Sequence, residues 1–215
     1  MEEQLVTTFL FLKVRARKSG RVVELLSESY EEIQEAAAVY AETDVIARAT
    51  ATETRMGQLL LELMQGEIQV HNQAHGTRDV FQVDSVQPLL VAGNMLEGQD
   101  TYSRNLAGDI YAYVVIDVDE KQETRSQVLQ TLHSCNGIIY TAGLAARGRA
   151  IAKVKAPNKS AFDNNIMHQI QSISGVATTR SLLIINDMHF IRSQNSDKSD
   201  QSMQNVASWA GTRRK

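Results

Sequence analysis

Arg147, Gly148 and Arg149 set two guanidinium groups on either side of a glycine, an arrangement able to hold a carboxylate or phosphate through paired N–H forks. The same charges suit a solvated turn, or a pairing with acids elsewhere in the chain. His71 and His75 stand four apart, the spacing that puts two imidazoles on one helical face. Asn72 and Gly76 make that stretch loop-like, and neither a cysteine nor a His-Glu-x-x-His pattern adds ligands, so no metal site is expected. His133, His168 and His189 occur singly, at a helix end, on a helix flank and after the last strand, where surface or hydrogen-bonding roles are the default. Cys135 has no partner for a disulfide and no evident base to make it a nucleophile. Gly137, Gly143 and Gly148 lack the spacing of a dinucleotide-binding turn, so no cofactor is expected. Met56, Met64 and Met167 fall on apolar helix faces as core filler.

A chain of 215 residues with 43% hydrophobic content can bury a core as one large or two small domains. Its net charge of −3, from 22 basic and 25 acidic residues, argues against non-specific nucleic-acid binding, which needs a positive surface. Apolar runs such as Leu59 to Leu61 are far shorter than a membrane helix, and Met1, Glu2, Glu3 and Gln4 do not open a signal peptide. A cytoplasmic protein with no membrane partner is the expectation.

The elements that must carry any site can be read from periodicity. In the second half, a β-branched strand at Ala112 to Val118 precedes a helix carrying Val128, Leu129 and Leu132. Asn136 and Gly137 stop that helix before a strand at Ile138 to Tyr140. A third strand, Ala150 to Val154, ends at Pro157, and Ser160 is a candidate N-cap for a helix through Ile173. Thr178 to Ile185 is the fourth strand. The first half repeats the order: Thr7 to Val14, a helix with Val22, Val23, Leu25 and Leu26, Ile33 to Tyr40, Asp44 to Ala51, and a helix with Met56, Leu59, Leu60 and Leu63. Its last strand is either 68–72 or 78–84. Asp44 to Ala51 and Arg149 to Ala156 align without gaps and share an isoleucine, an alanine, a basic residue (Arg48 and Lys153) and the closing alanine. The expected fold is therefore α+β, two tandem ferredoxin-like βαββαβ repeats. The expected domains are 1–85 and 109–190, with a connector at 86–108 rich in turn residues and a polar tail at 191–215.

Ile170, Ile173, Gly175, Val176, Thr179 and Ser181, followed by the apolar strand through Ile184, resemble the final helix and strand of the ligand-binding domain of Lrp/AsnC regulators. The resemblance implies a sheet pair of the dimeric αβ-barrel type, a homo-oligomer, and a small effector such as an amino acid. It implies a freestanding module without direct DNA contact, because only Met1 to Val6 precede the first strand, where the family carries a helix-turn-helix. The family's ligand loop between its second and third strands, T-G-x-(Y/F)-D, is matched here by Tyr40, Ala41, Glu42, Thr43 and Asp44 and, in the second half, by Ala145, Ala146, Arg147, Gly148 and Arg149. Both loops lack the expected glycine at Ala41 and Ala146, and only the first keeps the acid.

The expectation is thus a sensing or oligomerisation module that is not an enzyme. The resemblance extends through the wider superfamily to cofactor-independent monooxygenases and haem-handling proteins, which use the barrel interior and need polar groups facing it. Tyr113, Tyr140 and His168 are the candidates for that alternative, although strand parity alone does not say which sheet face is closed. A structural oligomer without a ligand is the remaining alternative.

Overall fold

A computed structural model describes residues 4–14, 18–65, 67–71, 78–98, 109–120, 124–146 and 148–192, without the side chains of 67–71, 78–82, 186 and 187. The chain is a mixed α+β fold dominated by one large antiparallel sheet. Strand β1 (Leu5–Val14) leads to helix α1 (Ser19–Ser29), strands β2 (Ile33–Tyr40) and β3 (Val45–Thr52) and helix α2 (Glu53–Met64). Strands β4 (Glu67–His71), β5 (Arg78–Leu90) and β6 (Leu96–Glu97) follow. The second half runs β7 (Ile110–Val118), α3 (Arg125–His133), β8 (Ile138–Gly143), β9 (Arg149–Ala156), a helix α4 and β10 (Val176–Ile191). Helix α4 is continuous through Lys159–Ala161, Phe162–Met167 and His168–Ser172, with the middle segment in the wider π winding.

Sequence chemistry sets the boundaries. Thr124 and Gln127 form a reciprocal capping box at α3, and the Thr52 hydroxyl accepts from the Arg55 N–H at α2. At α4 the cap is Asn158, whose side chain accepts from the Ala161 N–H at 2.9 Å, rather than Ser160, which lies inside the first turn. Gly137 turns the chain out of α3 with a φ of 79°, in the left-handed region where a side chain would be strained.

The strand order is β4-β5-β1-β3-β2-β10-β7-β9-β8-β6. The arrays β5-β1-β3-β2 and β10-β7-β9-β8 within it have matching internal order. Two strands join them. Strand β10 pairs with β7 through Val176 to Leu183 and continues onto β2 through Ile191. Strand β5 pairs with β1 as far as Leu90, then Val91 bridges Leu144 and β6 pairs with β8. The Ala145 N–H bonds the Leu90 carbonyl at 2.7 Å, and the Ala92 N–H bonds the Gly143 carbonyl at 2.8 Å. The sheet therefore closes on itself as a barrel, which pairs edges that an open sheet leaves free. Val86 to Leu90, expected in a connector, continue β5, and both 67–71 and 78–90 are strands where the sequence offered alternatives.

Alternation along the strands separates three cores. Leu10 and Leu12 point to α1 and α2, against Val22, Leu26, Leu59 and Leu63. Val114, Ile116 and Val154 point to α3 and α4, against Val128, Leu132, Phe162 and Ile170. Phe9, Phe11, Ile46, Tyr113, Ile151 and Leu182 belong to a third core, built from strand residues of both arrays inside the barrel. Among the described residues, no helix is long and apolar enough to cross a membrane.

Candidate functional site

The barrel interior holds a charged constellation drawn from both arrays. Glu35, on β2, is fully buried, as is Lys153 on β9. The Lys153 ammonium donates to Glu35 Oε1 in a close ion pair, and the Tyr113 hydroxyl donates to the same oxygen at 2.7 Å. The Tyr140 hydroxyl donates to Oε2 at 3.0 Å, and Arg48 Nε stands 3.6 Å from it. His189 Nε2 lies 2.8 Å from Lys153 Nζ and 3.3 Å from Glu35 Oε1, so it accepts from the lysine when the ring proton is on Nδ1 and donates to the carboxylate when Nε2 is protonated. Burying these charges is costly, and what makes them tolerable is that both carboxylate oxygens are met.

Register explains why these side chains meet. Arg48 lies opposite Phe9 and Glu35 on its neighbouring strands, and Lys153 lies opposite Tyr113 and Tyr140. The two cations thus hold the same place in their arrays, and both turn to the one carboxylate. A register shift just before Glu35 and another just before Tyr140 aim these residues inward. Strand β10 brings His189 opposite Ala37, while Met95, beside β6, supplies the sulfur 3.5 Å from Arg48. The Phe9 ring packs at 6.4 Å from Tyr113 and 6.2 Å from Tyr140, seating the pair against the opposite sheet.

The electrostatics follow from burial and proximity. Burial alone raises the carboxyl of Glu35, but Lys153, His189 and Arg48 together hold it well below the ordinary range. Burial lowers the Lys153 ammonium to about 8 despite the opposing pull of Glu35, with Arg48 adding to the fall. Burial and the Lys153 charge also lower His189, and burial together with the Glu35 charge pushes Tyr140 well above its usual value. The unfolded chain therefore binds more protons than the folded one below pH 6.5 at His189, and again between about 8 and 10.5 at Lys153. Glu35 acts in the same sense: the stability it contributes is present above 4.5 and lost as pH falls through its folded value. The melting temperature should accordingly rise with pH through these windows, with Tyr140 reversing the trend above 10. Lys153→Met should flatten the segment between about 8 and 10.5; a melting profile that keeps its slope there would contradict this assignment.

The sequence-based candidates are distributed as follows. Ala41, Glu42, Thr43 and Asp44 form the loop between β2 and β3. Asp44 accepts from the Val14 N–H at 2.9 Å and pairs with Lys13 at 3.3 Å, while Glu42 reaches Arg180 of β10 at 4.0 Å. Gly148, with a φ of 62°, precedes Arg149, which pairs with Asp117 at 3.1 Å. Arg147 lies outside the described residues, as does His75. Asp44 and Arg149 are thus each partnered within their own array. Tyr113 and Tyr140 do face the interior, whereas His168 is exposed on α4. His189 differs from its expected place after the last strand: β10 runs on to Ile191 and carries it into the barrel. Glu35 was missed. The available signal was the basic residue shared by the aligned strands, Arg48 and Lys153, since a cation repeated in a strand that is otherwise small and apolar needs an acid.

The family model for the Lrp/AsnC ligand binding domain matches residues 111–189, which include Tyr113, Tyr140, Lys153 and His189. No curated protein matches by sequence. Among solved structures, an anthrone oxidase-like protein has a TM-score of 0.48 at 11% identity, covering 92% of this chain and 97% of that one. A putative monooxygenase from Lactobacillus acidophilus has a TM-score of 0.47 at 10% identity, covering 85% and 94%. A putative monooxygenase from Fusobacterium nucleatum has a TM-score of 0.50 at 9% identity, covering 86% and 93%. The names of these structures stand against the expectation that the chain is not an enzyme, while at 9 to 11% identity the likeness itself is one of fold.

Proposed function

We infer that this chain is a single-chain barrel of the dimeric αβ type, two ferredoxin-like units long, that oxidises a small organic molecule in its interior. The observation that carries the reading is the constellation of Glu35, Lys153, Tyr113, Tyr140 and His189, buried between two arrays and contributed by both. A lysine held at about 8 is near the pH at which a general base works best, because a useful fraction is unprotonated while the amine stays basic. In this reading Lys153 takes a proton from an activated CH2 beside a carbonyl, and His189 relays it. Arg48, whose side chain is 17% exposed against none for Lys153, is the cation on the accessible side and stabilises the anion that forms. The reaction class of the monooxygenases then fits without an added reductant. The CH2 becomes a carbonyl, one oxygen atom of O2 enters the product, and the other leaves as water with the two hydrogens.

The test is oxygen uptake over a panel of cyclic aryl ketones that bear such a CH2. One O2 should be consumed for each product that gains one oxygen and loses two hydrogens. Tight binding across the panel with no oxygen uptake would replace this reading by a second one, favoured by the match over residues 111–189, in which the same interior senses its ligand without turnover.

A further inference from the structure

We propose that Tyr111 and its surroundings form a second recognition point in the same barrel, which selects aromatic acids: planar ligands with a carboxylate at one end and an ionisable group at the other. The proposal rests on the central reading, that the ligand lies against Lys153 and His189, and adds what holds its far end. Tyr111 precedes Tyr113 by two residues on β7, and Lys155 follows Lys153 by two on β9, so this pair lies on the same sheet face one pleat away, roughly 7 Å along the strands. Tyr111 is 4% exposed and belongs to the interior core, where the Lys155 ammonium donates toward its hydroxyl oxygen and the hydroxyl proton meets no protein acceptor. Its ring lies 6.2 Å from that of His189, so the recognition point and the central cluster are contiguous. Lys155 stands over the Tyr111 ring at 5.9 Å and pairs with Asp109 Oδ2 at 3.1 Å.

The other array shows that this arrangement is not forced by the fold. At the corresponding register, Thr7 and Thr50 face each other on β1 and β3 and bond through their hydroxyls at 3.1 Å. There the polar groups satisfy one another. At Tyr111 a buried donor is left over, and a buried donor without an acceptor is unfavourable unless a ligand supplies one. An oxygen anion suits the position best, because the Lys155 ammonium beside the ring favours negative charge. The separation of one pleat then sets the ligand's length at about that of a benzene ring with a polar group at each end.

The experiment compares two probes by calorimetry: 4-hydroxybenzoate, which has both groups, and phenol, which lacks the carboxylate. Wild-type protein should bind 4-hydroxybenzoate more tightly. Tyr111→Phe should weaken that binding about tenfold, leave phenol unchanged, and melt close to wild type, since no protein group accepts the hydroxyl proton it removes and Lys155 keeps its ion pair with Asp109. Equal effects of Tyr111→Phe on both probes, or on neither, overturn the recognition point, as does a wild type that binds neither probe. Lys153→Met separates this from the central reading, because it should weaken both probes alike. If Lys153→Met changes nothing while Tyr111→Phe still discriminates, the second point stands and the central reading falls.

Discussion

Lys153→Arg is expected to abolish oxidation while leaving the chain folded. Arginine keeps a positive charge opposite Glu35, so the carboxylate retains a counter-ion, but a guanidinium does not give up its proton at any pH at which the protein is folded. If Lys153 removes the substrate proton, the rate should fall by about 10² to 10⁴, the usual contribution of a positioned base. Lys153→Met should fall as far, and it additionally removes the partner of a buried carboxylate. The wild-type rate should rise with pH toward a plateau above about 8, the value at which Lys153 is held. Comparing the rate profiles of wild type and both variants checks the assignment. An Arg variant that retains the wild-type rate and profile would remove Lys153 from the chemistry and leave it as the counter-ion of Glu35.

Glu35→Ala should produce the largest loss of stability of any single change in the barrel. It removes the carboxylate that Lys153 and Arg48 share, leaving two cations of like sign facing each other in a water-poor interior, and it strips the acceptor from the Tyr113 and Tyr140 hydroxyls. Breaking a buried ion pair from one side costs about 3–5 kcal/mol, a large share of the roughly 5–15 kcal/mol that holds a domain folded. A fall of about 10 °C in melting temperature is expected for a chain of this length. Glu35→Gln keeps the shape and one acceptor oxygen and should fall between the two. A melting curve for Glu35→Ala that overlays wild type would show that the constellation does not hold the arrays together.

The elements were legible in the sequence because local rules set them. The strand at Ile33 to Tyr40 was read to the residue, and the turn at Gly137 lies where the sequence puts it. The site was less legible, since it depends on which face of each strand is enclosed. In β2, a run of alanines gives no contrast between faces, so parity could not show that Glu35 points inward. Tyr113 and Tyr140 were named as candidates without that knowledge, and closure of the barrel is what turns them toward Glu35. His189 escaped for a different reason. Asn186 and Asp187 break the apolar run after Ile185, whereas in the folded chain β10 continues past them and pairs with β2. Loop residues such as Asp44 and Arg149 stood out because charge in a turn is conspicuous, although each is partnered close by.

One polypeptide supplies both four-strand arrays, and this frees the centre of the barrel from a constraint that two identical chains would impose. In a homodimer every side chain near the axis appears twice. A glutamate at the position of Glu35 would face its own copy, two carboxylates competing for too few protons, and a tyrosine at the position of Tyr140 would face another hydroxyl with no acid to receive it. Here the two places are separate codons, and one holds the acid while the other holds the donor that binds it. The same freedom puts arginine in one array and lysine in the other, so that a permanent charge and a titrating one share a single counter-ion. A mutation on one side can therefore be selected without its mirror image, and the two halves of the interior are open to separate specialisation.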